Sequence, residues 1–171
     1  MDDLISRQAA IDALQGVLSM KVLFVEGEPV PKARPRMGKG GNVFTPRTTT
    51  AAEKKIRAAW VAEYGAEPED GPVQIVLTFR YPPLNGWPKW KKEAAAKTRI
   101  SKATKPDIDN LAKTVMDALN GIAYTDDSRV AWLSAKKCYT TEPQGTLIEV
   151  FPVPEPKRKT QADIIEEGRW F

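Results

Sequence analysis

The chain has 171 residues, 42% of them hydrophobic, enough to bury a substantial core, and it carries a net charge of +4 with a pI near 9.1. It has no histidine and a single cysteine, Cys138. That excludes Ser-His and Cys-His nucleophiles, imidazole general bases, histidine-based zinc sites, disulfides within the chain and cysteine clusters.

No apolar run reaches membrane-spanning length, and Met1-Asp2-Asp3 lacks the basic start of a signal peptide. The expectation is a reducing, cytoplasmic compartment and no membrane partner, with any chemistry carried by carboxylates, lysine, tyrosine and bound metal.

Residues 1–20 read as an N-terminal appendage: an amphipathic helix with Leu4, Ile5, Ile11, Leu14 and Leu18 at helical spacing and Ser6 as a candidate cap. Val22–Val25 reads as a strand, which Gly27-Glu28-Pro29-Val30-Pro31 ends. Lys32, Arg34, Arg36, Lys39 and Arg47 follow in a stretch with no acidic residue, interleaved with Gly38, Gly40 and Gly41. This is either a solvated loop or a mobile phosphate-binding arm; its glycines lack the P-loop spacing.

A threonine cap at Thr48 opens a helix with Ile56, Ala59, Trp60 and Tyr64 on one face, and Gly65 stops it. Val73–Tyr81 alternates, placing Val73, Ile75, Leu77, Phe79 and Tyr81 on the core side of a strand. From Pro82 to Pro106 runs a second basic tract, Lys89, Lys91, Lys92, Lys97, Arg99, Lys102 and Lys105 against Glu93. Ala94–Ala96 suggests a short helix within it, with Trp87 and Trp90 expected to anchor it to the core.

Pro106 and then Asp107, a strong N-cap residue, predict a helix that ends at Asn120-Gly121. Ile108, Leu111, Val115 and Leu119 form its core stripe, while Asp109 and Lys113 share another face. Tyr124-Thr125-Asp126-Asp127-Ser128 has turn composition and can return a second carboxylate pair to the start of that helix. Taken singly, such aspartates are more often caps and turn residues. Several carboxylates gathered at one helix start repel one another, and a hard divalent cation compensates them directly.

Residues 129–139 and 146–153 read as two further strands joined as a hairpin through Glu142-Pro143-Gln144-Gly145, with Cys138 a small buried residue. The resulting organisation is a domain over residues 21–155 followed by a polar tail, 156–171, that holds Lys157-Arg158-Lys159. The order β-α-β-α-β-β predicts an α/β or α+β domain, a mixed sheet of four or five strands with helices packed on it.

The segment Lys105-Pro-Asp-Ile-Asp-Asn-Leu-Ala-Lys113, with Asp117-Ala-Leu119 and Tyr124-Thr-Asp-Asp-Ser-Arg-Val130, resembles the RusA family of Holliday junction resolvases of bacteria and their prophages. The similarity takes in Pro31–Arg36 and extends over residues 21–153.

The resemblance implies a homodimeric, Mg²⁺-dependent endonuclease, with Mn²⁺ as substitute, that cuts four-way DNA junctions in recombination and repair. It places metal-binding aspartates at Asp107, Asp109 and Asp127, with Asp126 able to share the third role, and an essential lysine at Lys113. The two basic tracts would contact DNA. Two other readings are a branched-DNA-binding module without catalysis and a nucleotide-sugar transferase holding Mn²⁺ on Asp107 and Asp109.

Overall fold

Alternation along one strand organises the architecture seen in a computed structural model, which describes residues 19–37, 41–97 and 100–154. In chain order the elements are β1 (Lys21–Glu26), β2 (Arg36–Met37), β3 (Val43–Phe44), α1 (Arg47–Tyr64), β4 (Val73–Tyr81), α2 (Lys89–Lys97), β5 (Ile100–Ser101), α3 (Ile108–Leu119), a 3₁₀ turn (Asp127–Arg129), β6 (Val130–Tyr139) and β7 (Gly145–Pro152). The helix predicted before residue 19 and the polar tail lie outside the described residues.

Five strands form one mixed sheet in the order β1-β7-β4-β6-β5, and β2 and β3 form a separate two-stranded ribbon inside the first basic stretch. The α+β reading with a mixed sheet is therefore correct. Val73, Ile75, Leu77, Phe79 and Tyr81 are all buried and meet Leu111, Val115 and Leu119 of α3 and Ile56 and Trp60 of α1 in one core. Tyr64 ties α1 to β1, its hydroxyl donating to Val22 O at 2.6 Å and accepting from Val22 N–H at 2.9 Å.

Three local expectations are corrected. The hairpin through Glu142–Gly145 does not form, because β6 pairs parallel with β4 while β7 pairs antiparallel with the other edge of β4. The connection is pinned over the end of β4 by Thr140 N–H to Tyr81 O at 2.9 Å and by an Arg80–Glu142 ion pair at 3.0 Å. Parallel β4 and β6 require a long crossover, which α2, β5 and α3 supply.

Helix α1 starts at Arg47 with Pro46 in the cap position and no side-chain cap, so Thr48 is not the cap. Pro46 O instead accepts from the N–H groups of Thr49 and Thr50. Trp87 packs on the core edge-on to Tyr139 at 4.8 Å, whereas Trp90 is 68% exposed and anchors nothing to it.

Candidate active site

Helix α3 buries Leu111, Ala112, Val115, Ala118 and Leu119 and leaves Asp109 and Lys113 exposed. Ile108, assigned to the same stripe, is 37% exposed because the first turn projects past the core. Asp107 has the extended backbone of an N-cap but its carboxylate makes no cap hydrogen bond. It lines a shallow recess with Lys105, Pro106, Asn110, Lys32 and Glu28.

The return from α3 is built on Gly121, whose φ of 74° few other residues adopt. The buried Tyr124 donates its hydroxyl to Met116 O at 2.9 Å, and burial first, then the carboxylates of Asp127 and Asp117, pushes that phenol's pKa far up. This closed turn brings the Asp126-Asp127 pair beside the outer face of α3.

The two then separate by hydrogen bonding. Asp126 accepts from Ser128 N–H at 3.0 Å and caps the 3₁₀ turn, a bond that holds its carboxyl below the usual range. Asp127 accepts from Asn120 Nδ2 at 3.0 Å and lines a cavity of about 250 Å³ with Asp109, Lys113, Asp117, Ala112, Met116 and Leu133.

Asp109, Lys113 and Asp127 are thus brought together, while Asp107 opens on the neighbouring recess. Asp117 is the member that sequence reasoning left without a role. The i, i+4, i+8 spacing of Asp109, Lys113 and Asp117 was the available signal, since it puts all three on one helix face. Among the described residues no group of three or more acidic or cysteine side chains is close enough to hold a metal ion. The donors are of the type a hard cation takes, but as placed they do not form a cation site.

The basic residues divide by what already holds them. Lys32 pairs with Glu53 and Asp117 at 2.5 Å each, both partners lying within the fold. Lys102 donates to Thr104 Oγ1 and Lys105 O at 2.6 Å each and sits over the Tyr81 and Tyr139 rings. Lys91 lies 4.1 Å over Trp87, Lys92 donates to Asn85 O at 2.9 Å, and Lys89 faces Glu93 at 3.8 Å. Arg34, Arg47, Lys97 and Lys105 present exposed side chains.

Arg36 pairs through its backbone with Phe44; its side chain, and Lys39 and Arg99 altogether, lie outside the described residues. A residue the sequence did not single out is Lys137 on β6. Its ammonium donates to Thr104 O at 2.8 Å and Pro106 O at 2.5 Å, fixing the segment that delivers Asp107.

Comparison with known proteins adds three findings. Residues 26–151 match the family model described as endodeoxyribonuclease RusA. The chain is 39% identical over 128 residues to an uncharacterized protein, YqaN, of Bacillus subtilis (strain 168), covering 70% of this chain and 88% of that one. It is also 33% identical over 69 residues to a crossover junction endodeoxyribonuclease, rusA, of Lactococcus phage r1t, covering 39% of this chain and 44% of the phage protein. Asp109, Lys113, Asp117 and Asp127 all fall inside the family match.

Proposed function

For a chain that belongs to the RusA endodeoxyribonuclease family, we propose that it resolves four-way DNA junctions by paired phosphodiester hydrolysis, as a homodimer, with Mg²⁺ or Mn²⁺ required. The observation that carries this reading is the cavity on the outer face of α3, which Asp109, Lys113 and Asp127 line together.

Hydrolysis of a phosphodiester needs water directed at phosphorus and compensation of the charge that builds on the non-bridging oxygens. Lys113, exposed on the rigid α3, offers a fixed cation for that charge. Asp109 and Asp127 offer carboxylate oxygens, and Asp127 is oriented by the Asn120 amide. Asp107 opens on the adjacent recess, while Asp109 and Asp127 are donors of the type a hard divalent cation takes; cleavage in Mg²⁺ against EDTA tests the metal requirement. Arg34, Arg47, Lys97 and Lys105 are available to neighbouring phosphates, a positioning role that carries no sequence information.

Two cuts in opposing strands call for two sites related by a two-fold axis, which a homodimer supplies. The separation of Asp107 from the cavity favours one second reading, a branched-DNA-binding module without catalysis.

A labelled four-way junction and a linear duplex of equal length, incubated with Mg²⁺ or EDTA, distinguish the two. Symmetric nicks in the junction alone, dependent on Mg²⁺, support resolution. Binding without nicks supports the module. Equal cutting of the duplex refutes junction specificity.

A further inference from the structure

Lys32 lies where the segment leaving β1 crosses both helices. Its backbone N–H donates to Asn110 O of α3 at 2.8 Å, and the next N–H, that of Ala33, donates to Thr49 Oγ1 of α1 at 3.3 Å. Its ammonium bridges Glu53 Oε1 on α1 and Asp117 Oδ2 on α3, each at 2.5 Å, with the three side chains only 22%, 22% and 26% exposed. Burial alone would lower the pKa of this ammonium, but the hydrogen bonds to Asp117 and Glu53 outweigh it and hold the group above the ordinary lysine value.

Asp117 also lines the candidate cavity, one helical turn beyond Lys113. Residues four apart on a helix can pair, so a freed Asp117 carboxylate would join Asp109 in competing with a phosphate for the Lys113 ammonium. It would also add a negative charge to a cavity that must accept a phosphate.

We propose that Lys32 is a positioning residue of this site: by holding Asp117 against Glu53 it leaves the Lys113 ammonium to the substrate, and it fixes the point from which the Arg34 segment departs. The inference rests on the proposed function, since it assigns Lys32 a task in that same cavity. It also removes Lys32 from the set of phosphate contacts.

The test uses the full chain and four variants: Lys32→Met, Lys32→Arg, Lys32→Met with Asp117→Asn, and Lys32→Met with Glu53→Gln. The readouts are single-turnover cleavage of a four-way junction in Mg²⁺, salt dependence of junction binding in EDTA, and urea unfolding. Lys32→Met is expected to lose cleavage by at least about 30-fold, with a salt slope of binding equal to that of the wild type.

Lys32→Met strands two largely buried carboxylates and each double variant removes one of them, so both should recover the urea midpoint in part and to a similar extent. Only the double variant with Asp117→Asn should recover most of the cleavage, because only there is the freed charge competing for Lys113 gone. Lys32→Arg, which keeps the bridging cation, should stay within a few-fold of the wild type.

Equal recovery of cleavage by the two double variants would reduce Lys32 to a structural residue and overturn the proposal. A salt slope lowered by about one unit in every Met variant would make Lys32 a phosphate contact and overturn it equally. A wild-type chain that cuts no branched DNA defeats the proposed function itself, and the role of Lys32 falls with it; in an active wild type, only the pattern of the variants decides.

Discussion

Replacing Lys137 by Met removes the ammonium that holds the Thr104 and Pro106 carbonyls while keeping most of the aliphatic stem. A charge-assisted hydrogen bond contributes about 1.5–3 kcal/mol when shielded, so two would give a ceiling of about 6 kcal/mol. Thr104 is exposed, and water can replace its bond at little cost. Pro106 is half-buried and keeps most of its share.

Lys102 holds the same segment from the other side through Lys105 O and Thr104 Oγ1, which stops the loop from coming free. The expected loss is therefore about 2 kcal/mol, or roughly 1 M in the urea midpoint for an m value near 2 kcal/mol/M. Trp60 is fully buried in the core and provides the fluorescence signal. Lys136→Met, one residue away and exposed, is the control and should change stability by less than about 0.5 kcal/mol. Amide exchange over residues 102–108 should accelerate in the Lys137 variant before the rest of the sheet. If the two variants lose the same stability, the Lys137 bridge does not hold the approach to Asp107.

Tyr81 buries a hydroxyl with no hydrogen-bond partner among the described residues, so Tyr81→Phe should raise stability by about 1 kcal/mol in urea unfolding at pH 8. Burial pushes that phenol up to about 12; the folded chain thus holds its proton more tightly than the unfolded chain. Stability should accordingly fall as pH rises from about 10 towards 12, and less steeply in Tyr81→Phe. A Cβ at Gly145 would lie 2.5 Å from Val25 O and from the Phe24 ring, so Gly145→Ala should part β7 from β1 and cost about 2–3 kcal/mol. Asp126→Asn should retain junction cleavage within a few-fold, because Asp126 caps the 3₁₀ turn while Asp127 faces the cavity; a dead Asp126→Asn chain would reverse that assignment.

What the sequence made legible was periodic. The alternation of Val73–Tyr81 names the central strand and its buried face, and the stripe Leu111, Val115, Leu119 names the buried face of α3. Both follow from repeats of two and 3.6 residues that burial enforces.

What stayed hidden was non-local. Alternation says nothing of which strand lies beside which, so β7 crossing to the far edge of β4 was invisible, and proximity in sequence pointed to a hairpin instead. Strands as short as Arg36–Met37 and Val43–Phe44 carry no period at all. Within the candidate site, helical spacing put Asp109 and Lys113 on one face, and turn composition placed the Asp126-Asp127 pair in the return from that helix. The choice between the two aspartates depends on one backbone N–H, that of Ser128, and the fate of Lys32 depends on two acids far along the chain. Neither leaves a trace in local sequence.

The central claim is that the cavity on α3 cuts the backbone of branched DNA, and the measurement that tests it most directly pairs cleavage with binding for Asp109→Asn and Asp127→Asn. Each variant keeps its size and loses one negative charge from the cavity. Junction affinity in EDTA should hold or tighten slightly, while single-turnover cleavage in Mg²⁺ should fall by at least about 100-fold. Full cleavage by both variants, with the wild type active beside them, would place the chemistry elsewhere on the molecule and contradict the account.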